Sequence, residues 1–366
     1  MTKELTILQP YVPTYRVSFF EGLRRQLHKH DINCVIAAGV PSGIQAARQD
    51  SVERDWIVRT KSRTAEIKGR TFDLGSRPVP WEGADGVIIG LEGTSIPLYK
   101  ALATSRARAL RVGVWGHVKP YVNQGHRIDL ALERAQMRVA NHIFAYTPGG
   151  AKYASSAGID PNKITTVMNT VDTSQLQQDL AAVSDADIAE FSNRLGVNIG
   201  KTFCFIGGLD QSKRIDFLSE ALDALWEIDS NIKLIVGGKG RDEKLLKSAI
   251  GRGQVVSIGY LSGRNKALAL KTSMAVCMPG RIGLVAVDAL VAGRPVITTA
   301  WPYHAPEAEY LVEGKSRITS ADDPTKFAWT LKNFTGFPRA TEPFPYPDLS
   351  DMIRNYAQGV VRMFSN

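Results

Sequence analysis

Short apolar runs alternate with amphipathic stretches along the whole chain. In the first half these runs have the length of buried strands, and they predict strands over 5–8, 33–38, 85–91, 111–115, 142–146 and 164–167. Helical spacing between the runs predicts helices from Phe19 onward and over 96–109, 128–140 and 149–157. Residues 40–83 are polar and weakly periodic, so we expect a loop-rich insertion with one strand at 56–58.

The second half repeats the alternation, with predicted strands over 203–206, 233–236, 255–258, 275–278 and 296–299. Between them we predict an amphipathic helix from Ile215, a helix over 282–291 that is apolar on every side, and a last helix over 349–364. An acidic, helix-like segment over 184–195 is the predicted linker. We therefore expect an α/β protein with parallel-sheet domains over 1–178 and 179–347, and a C-terminal helix over 348–366 that crosses back to the first domain.

Length and composition agree with this architecture. A chain of 366 residues is long for one hydrophobic core. No apolar run reaches the length of a membrane span, and the N-terminus MTKELTILQP lacks a signal-peptide pattern, so we predict a cytoplasmic protein. Cys34, Cys204 and Cys277 lie in apolar runs without metal or redox spacing, as buried thiols do in a reducing compartment.

The net charge of +9 is concentrated in the first half. Residues 1–150 hold 21 Lys and Arg against 13 Asp and Glu, whereas residues 151–366 hold 24 against 23. This asymmetry indicates an anionic partner, such as phosphate groups, acidic lipid headgroups or nucleic acid, unless the basic surface serves solubility alone. Nucleic acid is disfavoured, because no zinc finger, RNA-binding sheet signature or aromatic-basic interleaving is present.

Two places in the sequence carry candidate ligand chemistry. The loop after the first strand lacks G-x-G-x-x-G, which argues against a dinucleotide-dependent dehydrogenase. His117 follows a predicted strand, so it lies at the carboxyl edge where open α/β sheets bind ligands; a purely structural histidine is the alternative.

Residues 275–299 predict a βαβ unit whose helix N-terminus can hold an anion. Asp288 lies inside that apolar helix, where a carboxylate needs a partner.

Five segments together resemble one enzyme family: FIGGLDQSKRIDFLSEAL, LIVGGKGRDEKLL, GRIGLVAVDALVAGRPVITT, NTVD and WGH. The chain resembles retaining glycosyltransferases of the GT-B fold, in the large family-four group. The resemblance implies two Rossmann-like parallel-sheet domains facing across a cleft, the first on the acceptor side and the second binding a nucleotide-sugar.

The resemblance also implies roles for residues that contact the donor. Lys213 matches the family lysine at the donor diphosphate, and Arg214 adds a cation beside it. Gly208 stands where the family has arginine, so the lost contact must come from Arg214, Arg281 or Arg16. Backbone amides between Gly280 and Leu284 are expected to face the diphosphate. The implied donor-binding residues are Arg16, Gly207, Gly208, Lys213, Arg214, Gly283, Leu284 and Asp288.

Asp288 matches the second acid of the family's paired-acid element, which takes the ribose hydroxyls, so the ligand would be the partner of this carboxylate. The first acid, near the donor sugar, falls on Gly280. We expect the polar segment from Tyr303 to Glu309 to replace it, with loop capping as the alternative. The implied catalytic residue is His117, and the implied sugar-contact residues are Gly280, His304, Glu307 and Glu309.

The resulting hypothesis is transfer of a sugar, with retention, from a UDP- or GDP-type nucleoside-diphosphate sugar to an acceptor hydroxyl in polysaccharide or glycolipid assembly. The resemblance implies front-face attack in which the departing phosphate assists deprotonation, so the reaction requires no cofactor, dedicated base or metal, and no Asp-x-Asp pair follows a strand. The expected partners are a saccharide or lipid-linked acceptor and the anionic inner face of the plasma membrane, with peripheral attachment. The alternatives are a GT-B sugar-nucleotide epimerase, a non-catalytic nucleotide-sugar-binding or scaffold protein, and a periplasmic-type binding protein, which the missing export signal disfavours.

Overall fold

The chain forms two compact units in a computed structural model that describes residues 2–41, 50–67, 70–122, 127–336 and 343–365. The first unit comprises Met1–Asp172 with Pro347–Asn366, and the second comprises Thr173–Tyr346. Across the described residues, no helix is both long enough and apolar enough to span a membrane.

The first unit is built on a parallel sheet. Its strands are β1 (Lys3–Gln9), β2 (Ile32–Ala38), β3 (Ile57–Arg59), β4 (Arg63–Ile67), β5 (Arg70–Gly75), β6 (Gly86–Gly90), β7 (Arg111–Gly116), β8 (His142–Ala145) and β9 (Ile164–Thr166). Seven of them form the sheet in the order β3-β2-β1-β6-β7-β8-β9, and all their pairings are parallel. Its helices are α1 (Val17–His28), α2 (Ile96–Ala107), α3 (Arg127–Val139) and α4 (Pro148–Ser156). Each strand and helix predicted for 5–38 and 85–167 is present, with ends shifted by a few residues.

The prediction of a single strand in residues 40–83 was wrong. The strand near 56–58 is present as β3, but β4 and β5 add an antiparallel hairpin. The described residues of both hairpin strands are exposed or half-buried, and none is fully buried, so no buried apolar run marks these strands in the sequence. Residues 42–49 and 68–69 of this predicted insertion lie outside the described part.

The second unit repeats the design with a six-stranded parallel sheet. Its strands are β10 (Thr202–Ile206), β11 (Lys233–Gly237), β12 (Val255–Ser257), β13 (Val276–Cys277), β14 (Val296–Thr299) and β15 (Arg317–Ser320), in the order β12-β11-β10-β13-β14-β15. The helices are α5 (Ser174–Ala182), α6 (Asp185–Leu195), α7 (Ile215–Ile228), α8 (Lys247–Gly251), α9 (Gly263–Thr272), α10 (Val285–Val291) and α11 (Pro324–Asn333).

Two details of the second unit differ from the sequence-based predictions. The acidic segment 184–195 forms α6 inside this unit, where the Ser184 side chain caps its N-terminus and Asp187 completes a capping box. The helix predicted over 282–291 begins only at Val285, with Leu284 as its N-cap, and the residues just before it bond to other segments. Arg281 N–H donates to the Ser212 carbonyl at 2.8 Å, and Ile282 N–H donates to His304 Nδ1 at 3.2 Å.

The last helix, α12 (Leu349–Ser365), belongs to the core of the first unit. Its fully buried Tyr356 ring stacks on Phe144 of β8, with ring centres 4.5 Å apart, and meets Phe19 of α1 edge-on at 5.4 Å. Buried aromatic rings of this size remove a large apolar area from water. The segment 338–347 that precedes α12 is proline-rich, and residues 337–342 lie outside the described part.

His142 gives the first unit an expected sensitivity to acid. It is fully buried at the start of β8, and its Nε2 shares a 2.8 Å hydrogen bond with Thr165 Oγ1. Burial, and secondly the positive charge of Arg362, lower the pKa of His142 from 6.5 to about 4. Below pH 6.5 the unfolded chain therefore binds a proton that the folded chain rejects, so this contribution to stability is complete above pH 6.5 and is lost as the pH falls towards 4.

We expect protonation of His142 to lower the free energy of unfolding by roughly 3 kcal/mol between pH 7 and pH 4. Urea unfolding of the wild type and of His142→Gln at pH 7, 5.5 and 4.5 measures the effect, because glutamine keeps a polar group but does not titrate. Equal losses of stability in both proteins would contradict the assignment to His142.

Candidate functional site

The strand order of the second unit reverses beside β10, which lies between β11 and β13. Such reversals leave a crevice at the carboxyl ends of the strands, where open α/β sheets bind ligands. Except for Arg16, which belongs to the first unit, the predicted donor residues follow β10 and β13, so the fold places both groups at one edge of the sheet.

The loops after β10 and β11 lie against each other with no space for side chains. Gly207 N–H donates to the Gly237 carbonyl at 2.9 Å, and Leu209 N–H donates to the Lys239 carbonyl at 3.0 Å. A Cβ at Gly238 would lie 1.8 Å from the Gly207 carbonyl oxygen. A Cβ at Gly240 would likewise lie 2.1 Å from the Leu209 carbonyl oxygen, so backbone packing requires glycine at positions 238 and 240.

Lys213 is held at this edge by the loop that follows β13. It ends a single 3-10 turn, Gln211–Lys213, and its ammonium group donates to the Arg281 carbonyl oxygen. A Cβ at Gly280 would lie 2.4 Å from the carbonyl carbon of Lys213. The first acid of the family element thus has no space at position 280, because the backbone of Lys213 occupies it.

Arg214 is placed differently from the expectation of a second cation facing a ligand. It adopts a left-handed conformation, with φ 54° and ψ 54°, and its guanidinium lies 4.3 Å from the centre of the Phe217 ring. The same group donates to Thr299 Oγ1 at 3.4 Å and forms an ion pair with Asp322. Its charge is therefore already balanced by a carboxylate of the second unit.

Asp288 has a protein partner that the sequence analysis did not predict. Lys266 Nζ on α9 lies 3.1 Å from each carboxylate oxygen of Asp288 on α10. The two side chains keep only 23% and 16% of their surface exposed, respectively. A half-buried pair of this kind offsets much of the cost of burying either charge, and it fixes the orientation of the Asp288 carboxylate.

The segment from Tyr303 to Glu309 contributes one group to the β13 loop. His304 accepts the Ile282 amide proton at Nδ1. Burial, followed by the positive charges of Arg317 and Lys213, lowers the pKa of His304 to about 4, so the ring is neutral at physiological pH. Glu307 is buried, whereas Glu309 is exposed.

The first unit has its own reversal of strand order between β1 and β6, and a cavity of about 570 Å³ lies at that edge. Its walls come from the loops after β1, β6, β7 and β8 and from α3. Two predicted site residues, Arg16 and His117, line it. The His117 ring meets Tyr146 edge-on at 5.1 Å and Tyr121 edge-on at 6.2 Å between centres.

Arg16 is a buried part of the cavity wall. Its guanidinium donates to Asn169 Oδ1 at 2.7 Å and lies 5.2 Å from the centre of the Trp115 ring and 5.8 Å from that of Tyr146. The contact joins the loop after β1 to the NTVD segment after β9. Since the side chain is 5% exposed, its placement suits a role in fixing these two loops.

Three carboxylates of the cavity were absent from the sequence-based site prediction: Glu92 after β6, and Asp129 and Glu133 one turn apart on α3. Burial raises the pKa of Glu133 to about 7, with the charge of Glu92 adding to the shift, while a hydrogen bond from the Gly93 amide acts against it. The surrounding protein, and secondly the charge of Asp73, also raise the pKa of Glu92, although the Glu92 residue is exposed.

The spacing of Asp129 and Glu133, together with an acid directly after a strand, was the available signal for this cluster. In the part of the chain that the structure describes, no three His, Cys, Asp or Glu side chains are arranged to share a metal ion.

Comparison with known protein sequences finds a family match and a partial similarity to a characterised relative. A family model described as glycosyl transferases group 1 matches residues 200–335. A stretch of 107 residues is 29% identical to the phosphatidyl-myo-inositol mannosyltransferase of Mycobacterium leprae (strain TN). That stretch covers 28% of this chain and 29% of the mannosyltransferase, so the match spans less than a third of either protein.

Solved structures resemble the chain over nearly its whole length. Anabaena HepE in complex with UDP is 14% identical with a TM-score of 0.63, and the match covers 98% of this chain and 94% of HepE. The UDP-GlcNAc 2-epimerase of Methanocaldococcus jannaschii is 16% identical with a TM-score of 0.59, covering 100% and 99%. At such low identities the likeness concerns the fold alone.

Proposed function

We propose that this chain, which belongs to the group 1 glycosyltransferases through residues 200–335 and has the GT-B fold, transfers a sugar from a nucleoside-diphosphate sugar to an acceptor hydroxyl. The anomeric configuration is retained, as in the family-four enzymes that the sequence resembles. The second unit binds the donor, and the cavity of the first unit binds the acceptor.

The observation that carries the proposal is the position of Lys213 at the carboxyl edge of β10 and β13. A diphosphate leaving group gains negative charge in the transition state, and a positioned ammonium group stabilises that charge. The backbone of Lys213 packs against the backbone of Gly280, and its ammonium group donates to the Arg281 carbonyl oxygen. The side chain is therefore already positioned and needs little reorganisation when the donor binds.

The proposed donor is a uridine-diphosphate sugar, because the Anabaena structure of the same fold holds UDP. Asp288 is the proposed ligand of the ribose hydroxyls. Lys266 takes one lone pair on each carboxylate oxygen, and a carboxylate has further acceptor sites for two hydroxyl groups. The Gly283 and Leu284 amides, which precede α10, are the proposed contacts of the diphosphate.

A thermal-shift screen of UDP-, GDP-, TDP- and ADP-sugars tests donor binding, because a ligand bound only by the folded state raises Tm. We expect UDP-sugars to give the largest shift. Asp288→Asn keeps the shape and one acceptor for Lys266 but loses the charge, and should weaken UDP binding about tenfold, which corresponds to about 1.4 kcal/mol.

Glu220→Ala, at an exposed carboxylate on α7, is the matched control and should leave the UDP-induced shift unchanged. No stabilisation by any of the four donor classes would contradict donor binding, and an unaltered affinity in Asp288→Asn would remove Asp288 from the site.

The proposed acceptor is a saccharide or a lipid-linked saccharide in polysaccharide or glycolipid assembly, handled at the cytoplasmic face of the membrane without a metal ion. The charge of the first half, 21 basic against 13 acidic residues over 1–150, supports attraction to an anionic surface. Failure to bind anionic vesicles at low salt would remove that support.

The epimerase of the same fold supports a second candidate function. A sugar-nucleotide epimerase would bind the same donor in the second unit but would convert it without an acceptor. Dependence of product formation on acceptor therefore separates the two functions.

A further inference from the structure

We propose that the cavity of the first unit selects an uncharged saccharide as the acceptor, and that Glu92 and Glu133 are the residues that reject anionic sugars. The inference rests on the proposed function and deepens it by naming the class of the acceptor. It concerns binding to the first unit alone, because the described cavity wall lies entirely within residues 9–146.

The charge of the cavity wall is opposite to that of the chain around it. Residues 1–150 hold 21 Lys and Arg against 13 Asp and Glu. The described wall carries three acidic and two basic side chains, which are Glu92, Asp129, Glu133, Arg16 and Lys119. Most of the positive charge of this region therefore lies outside the cavity, so attraction to an anionic surface and binding inside the cavity are separate properties.

The two basic residues of the wall are poorly placed to bind an anion. The Arg16 guanidinium donates to Asn169 Oδ1 at 2.7 Å, and the side chain is only 5% exposed. Lys119 is exposed, and its ammonium group lies 4.9 Å from the centre of the Tyr121 ring. Salt screens charges at exposed positions. The carboxylates therefore determine the charge that a ligand meets in the cavity.

The acidic side of the cavity is held together by hydrogen bonds between the β6 loop and two helices. The Glu133 carboxylate, on α3, accepts a hydrogen bond from the Gly93 amide. Gln136 Nε2 on the same helix donates to the Glu92 carbonyl at 2.9 Å. Tyr99 Oη on α2 donates to the Gly93 carbonyl at 3.0 Å. These bonds fix the backbone of Glu92 beside the Glu133 carboxylate, so a ligand meets the acidic wall already formed.

Each of these carboxylates lies where its negative charge is disfavoured. Burial, and then the charge of Glu92, raise the pKa of Glu133 to about 7. Burial, and then the charge of Asp73 in β5, raise the pKa of Glu92. A further anion in the cavity adds repulsion to charges that the surroundings already destabilise. A binding site rejects a ligand most effectively by such an unfavourable element.

The remaining features of the cavity suit a sugar ring. Its volume of about 570 Å³ is in the range of small-molecule sites. Tyr15 is 41% exposed and Tyr146 is half-buried, so both rings offer apolar surface to the face of a sugar. Carboxylates accept hydrogen bonds from sugar hydroxyls but repel a sugar carboxylate, sulfate or phosphate. The anionic part of a lipid-linked acceptor would lie outside the cavity, with the receiving sugar inside it.

Matched pairs of methyl glycosides test this selection without any donor. The pairs are glucoside and glucuronide, galactoside and galacturonide, and mannoside and mannuronide, in which a carboxylate replaces one hydroxymethyl group. Ligand-observed NMR measures their binding to the full chain at pH 8, where Glu133 is mostly ionised. We expect at least one uncharged glycoside to bind the wild type, and to bind roughly tenfold more tightly than its uronide, the scale of one repulsive charge pair near a protein surface.

The variant Glu92→Gln/Glu133→Gln should bind the uronide more tightly and bring the ratio of the two affinities close to one. Glutamine keeps the size of each side chain and an acceptor for the Gly93 amide, and misfolding does not produce a gain of binding. Glu82→Gln, at an exposed acid outside the cavity wall, is the matched control and should keep the wild-type ratio.

Three results would overturn the inference: no binding of any uncharged glycoside, equal binding of both members of each pair to the wild type, or an unchanged ratio in the double variant. Failure of the proposed function gives a different result. If the wild type binds and discriminates these glycosides but transfers no sugar to any acceptor, the cavity remains a saccharide site and the transferase proposal fails. If uronides accept sugar as well as uncharged glycosides do, the selection fails while the proposed function stands.

Discussion

Replacing Lys213 with alanine is expected to lower kcat/KM for sugar transfer about 100- to 1000-fold, the scale seen when one preorganised electrostatic donor is removed from an active site. The ammonium group is the proposed contact of the leaving diphosphate. Gly208 replaces the family arginine, and Arg214 is paired with Asp322. The loss should appear mainly in kcat, because the charge on the diphosphate grows as the sugar departs.

Lys244→Ala is the matched control, since Lys244 is an exposed lysine of the same unit. Its kcat/KM should equal that of the wild type, and both variants should keep the wild-type Tm within a few degrees. Wild-type transfer rates in Lys213→Ala would contradict the assignment of the diphosphate to this edge of the second unit.

Restoring the two family residues missing from the second unit should give opposite results. Gly280→Glu is expected to fail, because a Cβ there would lie 2.4 Å from the Lys213 carbonyl carbon and backbone atoms must move. An overpacked site of this kind costs about 3 kcal/mol, which lowers Tm by roughly 10 °C for a unit of this size. Displacement of Lys213 should also abolish donor binding.

Gly208→Arg should be tolerated. The nearest atom to a Cβ at this position is Asp210 Oδ2 at 3.1 Å, a side-chain atom, and Gly208 has no left-handed backbone. The added guanidinium supplies the missing diphosphate contact, so we expect UDP to bind about tenfold more tightly, as one charge-assisted hydrogen bond provides. Calorimetry with UDP and thermal unfolding of both variants measure these effects. A stable, UDP-binding Gly280→Glu would show that the loop after β13 is placed differently.

Much of the fold could be predicted from local sequence pattern. The apolar runs that form β1, β2, β6 to β8, β10, β11 and β14 are short and buried, and glycine, proline or polar loops delimit each one. Buried parallel strands have this appearance because both faces of the sheet are covered. The β4–β5 hairpin was missed for the same physical reason, since the described residues of its strands are exposed or half-buried and form no buried run.

The position of a site residue could be predicted only where a single sequence motif fixes it. Lys213 and Gly207 follow a single strand, and their placement at its carboxyl end follows from the βαβ pattern. The ion-pair partners of Asp288 and Arg214 are distant in sequence and could not be predicted from a local motif. Lys266 is 22 residues from Asp288, and Asp322 is 108 residues from Arg214. Glu92 and Glu133 likewise come from different elements, so the effect of the Glu92 charge on the pKa of Glu133 arises only in the folded unit.

The most direct test of the central claim follows the fate of the donor. The protein is incubated with the nucleotide-sugar that most raises its Tm, with and without a saccharide acceptor, and NMR follows donor, product and free nucleoside diphosphate. The account predicts an acceptor-dependent glycoside of retained anomeric configuration, formed together with one equivalent of nucleoside diphosphate and lost in Lys213→Ala. Conversion of the donor sugar without acceptor, or neither transfer nor nucleotide release, would contradict it.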